Sequence, residues 1–387
     1  MKIKLLNKIS PVGLNVFDET YETSDAIENP DAIMVRSAKM HDLPRNPELL
    51  AIARAGAGVN NIPVDACSEE GIVVFNTPGA NANAVKEMVL TGMLLASRDV
   101  IGGVEYVRGL EGQDGVAKLV EANKSNFAGT EIQGKTLAVI GLGAIGVLVA
   151  NAAHSLGMDV IGYDPYVSVN AAWKLSRSIE HGDSLASILP QADFVTIHVP
   201  LNDETKGYIN QDVFAMMKKG VKLMNFSRGE IVDEEALLKA IEEGIVDKYV
   251  TDFPNEKMVN QRNVIAIPHL GASTEESEEN CAVMAAQQIR DYLENGNIVN
   301  SVNFPACDMG VLKLPCRVLI MHRNVPKIVS QLTQLIAREN LNISDMNNRS
   351  RKDLAYTMLD LDSKADAATL DAMRAVEGVI RVRVIYK

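Results

Sequence analysis

No stretch of the 387-residue chain reaches the ~18 consecutive apolar residues that mark a membrane-spanning helix. The N-terminus, Met1-Lys2-Ile3-Lys4-Leu5-Leu6, lacks the apolar h-region of a secretory signal. Cysteine is scarce and scattered: Cys67, Cys281, Cys307 and Cys316 form no C-x-x-C pair, which argues against zinc and against a redox pair. Reduced thiols in a cytoplasmic protein and no metal site are therefore expected. Positive charge is in deficit, 38 Lys and Arg against 50 Asp and Glu, for a net charge of −12. Nucleic acids and membrane surfaces are themselves anionic, so neither is an expected partner. A small anionic substrate is still allowed, because it needs only local positive charge. Repeats and low-complexity tracts are also missing. What remains is 47% hydrophobic and 23% charged, a globular composition long enough for two or three domains.

The chain is organised around Thr136–Gly146, T-L-A-V-I-G-L-G-A-I-G. Leu137–Ile140 is an apolar run of the kind buried in a parallel strand. It breaks into a G-x-G-x-x-G turn, and Ala150, Ala153 and Leu156 continue at helical spacing. A second apolar strand, Asp159–Tyr163, ends in Asp164, 18 residues past Gly146. Gly141 permits the tight turn, Gly143 a close approach of backbone to pyrophosphate, and Gly146 the packing of helix on strand. Free N–H groups and the positive end of the helix then face an anion. Asp164 stands where a carboxylate meets a ribose diol, and no Arg follows in Asp164-Pro165-Tyr166, so the spacing predicts NAD rather than NADP. Alone, the glycine pattern would be only a turn.

Residues 1–97 read as a small α/β domain with strands near Ile3–Leu6, Ala32–Val35, Leu50–Ala53 and Ile72–Phe75 and a helix over Ala82–Ser97. Residues 98–274 read as a doubly wound dinucleotide domain. Strand signals at 194–197, 221–225, 248–252 and 264–267 follow the glycine unit, separated by helical patterns. A helix from about 274 to 297 is expected to return to the first domain, completing it over 275–304 and leaving a cleft between the two. Residues 305–314 read as a linker. Residues 315–387 carry a β-α-β-β-α-β, ferredoxin-like pattern.

Ligands of such sheets collect at strand carboxyl ends. There stand His198, Arg228, Asp252 and His269. Oxidation of a hydroxyl requires a base for its proton and a cation for the neighbouring carboxylate. His269, in I-P-H-L-G-A-S-T, is the favoured base. His198, in H-V-P-L, competes, but suits the wall of the cofactor cleft, with Val199 and Pro200. Arg228 is the candidate carboxylate ligand, since a guanidinium stays charged and binds bidentately; a surface ion pair with Glu230 or Asp233 is the alternative. Asp252 is suited to accept from a nicotinamide carboxamide. Glu256 is placed to bond His269 and raise its pKa, or is an exposed turn residue. His41, His154 and His181 read as surface or structural. In the first domain, Arg36-Ser37-Ala38-Lys39 and the turn Ala57-Gly58-Val59-Asn60 could hold a doubly anionic substrate, or be a salt-bridged surface and an ordinary turn.

The stretches V-I-G-L-G-A-I-G, H-V-P-L, N-F-S-R-G-E-I-V-D-E-E-A-L and I-P-H-L-G-A-S-T resemble the D-isomer-specific 2-hydroxyacid dehydrogenases. With R-S-A and A-G-A-G-V-N-N-I the resemblance covers nearly the whole chain. It implies a Rossmann-type dinucleotide domain beside a flavodoxin-like substrate domain. It further implies oxidation of 3-phospho-D-glycerate to 3-phosphohydroxypyruvate with NAD, the first step of L-serine synthesis. Arg228, Glu256 and His269 fall on the family's catalytic positions. Ile145, Gly146, Asp164, Phe226, Ser227 and Asp252 fall on cofactor positions, and Gly271 and Ala272 follow the histidine. The family's R-S-R phosphate pattern is here Arg36-Ser37-Ala38, without the second Arg. The Asp252-to-Glu256 spacing is one residue short. Residues 315–387 resemble an ACT domain, which implies sheet pairing between subunits of a homodimer or homotetramer. It also implies an L-serine effector at His322, Asn324 and Asn342, although Lys327 replaces the usual glycine of that loop. Two other readings are a dehydrogenase of an unphosphorylated acid, of glyoxylate or hydroxypyruvate type, and a non-catalytic NAD-sensing regulator.

Overall fold

The computed structural model describes residues 1–387. The chain divides into two compact units, Met1–Asn81 with Glu275–Lys387, and Ala82–Thr274.

The first unit opens with a parallel sheet of β1 (Lys2–Leu5), β2 (Glu22–Ser24), β3 (Ala32–Val35), β4 (Ala51–Arg54) and β5 (Val73–Phe75), in the order β2-β1-β3-β4-β5. That is the flavodoxin-like order the family resemblance implies. The runs A-I-M-V and V-V-F are apolar throughout because both sheet faces are covered. The long helix Glu275–Asn295 returns to this sheet, with Ala282, Ala285, Ile289 and Tyr292 in the same core as Ile3, Met34 and Phe75.

In the second unit, β6 (Thr136–Ile140), β7 (Asp159–Tyr163), β8 (Glu180–His181), β9 (Phe194–Ile197), β10 (Val221–Asn225), β11 (Val246–Thr251) and β12 (Val264–Ala266) form a seven-stranded sheet. Every pair is parallel, in the order β12-β11-β10-β9-β6-β7-β8, a doubly wound Rossmann-type arrangement. The helix Ala82–Ser97, expected to close the first domain, packs here. Val85, Val89 and Met93 share a core with Val147, Ala150, Met224 and Val250.

The last four strands belong to the first unit: β13 (Cys316–Arg323), β14 (Ile343–Arg351), β15 (Leu354–Leu361) and β16 (Val379–Tyr386). They are antiparallel in the order β14-β15-β13-β16, with helices Ile328–Arg338 and Ala367–Arg374 on one face, the predicted βαββαβ unit. All eight residues of β15 are buried. Alternate residues Leu359 and Leu361 face the helices, whereas Tyr356 and Met358 enter the core built on β1–β5. The expected linker is packed as well. Ile298 and Cys307 exchange two backbone hydrogen bonds of 2.9 Å, and Cys307 and Leu312 are buried. No helix is long and apolar enough to cross a membrane.

Candidate active site

In the second unit the glycine turn has the geometry a dinucleotide requires. Gly141 has φ +92°, and a Cβ there would lie 2.6 Å from the His198 carbonyl oxygen. A Cβ on Gly146 would lie 1.9 Å from the Gly141 oxygen, so both must be glycine. Gly143 is the opposite case: a Cβ would meet nothing within 4 Å, so it faces the open space a phosphate would occupy. It starts the helix Ala144–Ser155 without a side-chain cap, which leaves first-turn N–H groups open. Ile145 is half-buried on that first turn. Asp164 accepts from Leu142 N–H and Tyr166 N–H, both at 2.8 Å, and so ties the end of β7 to the glycine turn. Beside Leu142 lies an open groove of about 480 Å3 with Val167, Trp173, Arg177 and His181 in its walls. These were not singled out from the sequence, because the loop that carries them has no periodicity, and His181 read as a surface residue.

Four strand ends supply the chemistry. Fully buried Asn225 shapes the turn after β10: its Nδ2 donates to the Arg228 carbonyl (2.8 Å) and its Oδ1 accepts from Ser227 N–H (3.1 Å). Ser227 Oγ donates to Ile197 O at 2.7 Å. The turn presents Arg228 to solvent. Its guanidinium donates to Ser227 O and forms no ion pair with Glu230 or Asp233. The Phe226 side chain lies in the core, so only its backbone could meet a ligand. Asp252 is 2% exposed. Its Oδ2 accepts from Gly271 N–H (2.9 Å), while its Oδ1 is sealed from water without a partner. Burial pushes its carboxyl above the usual range, against the lowering by the Gly271 hydrogen bond and by His269 and Arg228. A Cβ on Gly271 would lie 2.9 Å from Asp252 Oδ2, so this bond needs glycine. An unpartnered buried carboxylate oxygen suits a ligand N–H.

His269 is exposed and held at φ +39° by its N–H, which donates to the Asp252 and Ile267 carbonyls, both at 3.0 Å. Positive φ in a non-glycine residue costs about 1–3 kcal/mol and gathers at functional sites. Glu256 lies exposed in the turn that follows Asp252 and makes no hydrogen bond to His269. His198 has a different environment. Its Nε2 meets Thr196 Oγ1 at 2.9 Å, its Nδ1 is buried without a partner, and burial depresses its pKa to about 3. It is neutral at physiological pH. Val199 packs on the core beside it, Pro200 is exposed, and Ala272 packs on the opposite core.

The first unit holds a separate cleft of about 560 Å3, lined by Ser37, Lys39, His41, Arg54, Asn60 and Asn61, with no carboxylate among them. Asn7 Oδ1 accepts from the N–H groups of Arg36, Ser37 and Ala38, each at 3.0 Å, so these three amides are already engaged. Arg36 pairs with Glu278, which removes it from a purely substrate-facing role in this conformation. Arg54, at the end of β4, donates to the Arg36 carbonyl at 2.9 Å and to the Gly58 carbonyl, bracing both loops. Ala57 is exposed, and its carbonyl accepts from Asn76. Arg54 was missed although it ends a strand, the criterion that found the others.

At the C-terminal loop, His322 is buried in its sheet. Nδ1 meets the Arg323 carbonyl at 2.7 Å and Nε2 meets Thr357 Oγ1 at 2.9 Å, so both nitrogens are occupied. Asn324 Nδ2 donates to Lys352 O at 3.0 Å, and Asn342 is exposed. Lys327 adopts φ +74°, the backbone region that suits the glycine it replaces.

Residues 90–271 match the family model of the D-isomer specific 2-hydroxyacid dehydrogenase, NAD binding domain. A D-3-phosphoglycerate dehydrogenase of Haemophilus influenzae is 32% identical over 382 residues, covering 94% of this chain and 89% of that one. This chain belongs to the D-isomer-specific 2-hydroxyacid dehydrogenase family. A D-3-phosphoglycerate dehydrogenase of Methanocaldococcus jannaschii is 36% identical over 323 residues, 80% of this chain. The match spans only 59% of that relative's length. Among solved structures, the NAD+-bound 3-phosphoglycerate dehydrogenase of Entamoeba histolytica aligns with a TM-score of 0.60 at 27% identity, over 78% of this chain and 98% of that one.

Proposed function

We propose that the chain is an NAD-dependent dehydrogenase that oxidises 3-phospho-D-glycerate to 3-phosphohydroxypyruvate. The observation that carries this reading is the grouping of exposed Arg228 and His269 beside Asp252, whose buried Oδ1 has no partner. When bound, the nicotinamide supplies a hydride acceptor. Arg228 holds the substrate carboxylate and polarises the forming carbonyl. His269 takes the hydroxyl proton, a contribution of roughly 10²–10⁴ in rate. Asp252 accepts a hydrogen bond through its free oxygen. Glu256, proposed from the resemblance to tune His269, has no bond in this conformation that supports the role.

The phosphate preference rests on the carboxylate-free cleft with Lys39 and Arg54, and on the relatives' names. The Arg36–Glu278 pair favours a second reading, an acid without phosphate. Steady-state oxidation of phosphoglycerate against its unphosphorylated counterpart decides between them. A kcat/KM preference for phosphoglycerate is expected, and equal values would overturn the phosphate assignment. His269→Asn should abolish turnover and leave NAD affinity intact; an unchanged kcat would remove the base. Four unpaired, buried cysteines accord with a reducing, cytoplasmic setting. Homo-oligomer formation and L-serine control through Asn324 and Asn342 complete the proposal. They rest on the resemblance of residues 315–387 to an ACT domain.

A further inference from the structure

We propose that the seam between the C-terminal sheet and the β1–β5 sheet holds a further binding site, which takes a small dianion carrying carboxylate or phosphate groups. A cavity of about 510 Å3 opens there. Arg374, at the end of the helix Ala367–Arg374, and Arg381 and Arg383, on β16, line it together with apolar Leu50, Leu370 and Val382. The volume and the mixture suit a small molecule, since such sites join a few converging polar groups to an apolar wall. The cavity is separate from the cleft proposed for substrate. Leu50 precedes β4 and Arg54 ends it, so the two lie at opposite ends of that strand.

The charge at this seam is not balanced by the protein. Arg381 and Arg383 are half-buried, and a guanidinium does not give up its proton. Arg381 donates to the carbonyls of Leu49 (2.5 Å) and Pro47 (3.0 Å), and Arg383 to those of Tyr292 (2.9 Å) and Leu293. Those acceptors are neutral dipoles, and neither side chain forms an ion pair. Glu70, whose field reaches Arg381, is bonded to Arg45 instead. Burial lowers the Arg381 pKa, and the charge of Arg383 adds to that lowering. The Tyr292 ring, 5.2 Å from Arg383, offsets only part of this. Arg317, in the same sheet, shows the self-contained alternative, since it is buried against Asp360. Glu48, the one carboxylate in the cavity wall, is exposed and pairs with none of the three arginines. Arg374 is held only by Asp371 in its own helix, an exposed pair that a ligand displaces at little cost. Each β16 arginine uses one N–H of each terminal nitrogen on a carbonyl, which leaves further donors for an anion. A half-buried pair of cations without counter-charge is stabilised most directly by an anion from solution.

Hydrogen exchange of the full chain tests the site, with sodium phosphate and sodium succinate compared against sodium chloride at equal ionic strength. At ten times its Kd, a bound dianion should slow exchange about ten-fold in residues 47–50 and 379–386, and chloride should not. The tighter of the two dianions identifies the preferred head group. Arg374→Gln, at an exposed position that makes none of the seam's carbonyl bonds, should weaken binding about ten-fold, the worth of one charge-assisted hydrogen bond. Arg383→Met should abolish the protection, while Arg383→Lys, which keeps the charge, should retain most of it. Should Arg383→Met fail to fold, Arg374→Gln still decides. A purely structural role for the arginines predicts no response to either dianion. Protection confined to residues 37–41 and 54–61, equal protection by chloride, or unchanged affinity in Arg374→Gln would each overturn the proposal.

Discussion

Asp360→Asn tests how the C-terminal sheet is held. Arg317 is completely buried, and its five N–H donors are all used. Nε donates to Asp360 Oδ1 (2.5 Å) and one Nη to Asp360 Oδ2 (2.8 Å). The remaining donors reach the carbonyls of Asn295 (2.8 Å), Gly310 (2.9 Å) and Met309 (3.3 Å). One side chain thus ties β13 and β15 to the end of the helix Glu275–Asn295 and to the stretch expected to be a linker. Asp360→Asn keeps the shape but leaves a buried guanidinium without a counter-charge. Breaking such a pair costs about 3–5 kcal/mol. For a unit of this size, that lowers its melting temperature by ~6–20 °C. Calorimetry should show one transition move, while fluorescence of the single Trp173, in the other unit, keeps its own midpoint. Hydrogen exchange should rise in residues 295–312. Replacing both partners, Arg317→Met with Asp360→Leu, should recover most of the loss, because the desolvation cost of both charges goes too. A single variant within ~1 kcal/mol of wild type would refute the clamp.

Deleting residues 315–387 would uncover Tyr292, Ile289 and Phe304, each worth roughly 1.5–3 kcal/mol of burial, so the truncated chain should aggregate on size-exclusion chromatography; a soluble, folded product would contradict the shared core. Asp164→Ala should weaken NAD by about ten-fold and narrow its preference over NADP, as measured by titration, while Asp164→Asn should lose less because it can still accept from Leu142 N–H; no effect of either would remove the ribose role. Burial holds His198 neutral with its pKa near 3, so between the unfolded value near 6.5 and about 3 the unfolded chain binds more protons and stability is lost as pH falls, by up to ~1.4 kcal/mol per unit. His198→Gln should flatten the pH dependence of denaturant midpoints over that window, and an unchanged slope would refute the assignment.

The parts of this molecule that were legible in the sequence are those where one local requirement has one chemical solution. Gly141 and Gly146 had to be glycine because a Cβ would strike backbone, and β3 and β9 read as strands because burial on both faces demands unbroken apolar runs. Arg228 and His269 stand out as candidates because strand ends collect polar residues. The sequence hides residues whose partners are remote. Asn7 bonds three amides about 30 residues away, and nothing near it in the chain announces this. The sequence also hides, for a related reason, that residues 315–387 share a core with β1–β5. V-I-R-V-R-V-I-Y alternates like a strand with one wet face, yet Arg381 and Arg383 point inward, to carbonyls of Pro47, Leu49, Tyr292 and Leu293. A guanidinium on a long stem can cross an apolar interface and satisfy itself on backbone oxygens. Alternation therefore reports which side chains are polar, not whether their heads meet water. An arginine on a strand flanked by valines marks an interface as readily as a surface, and only the acceptors opposite it decide which.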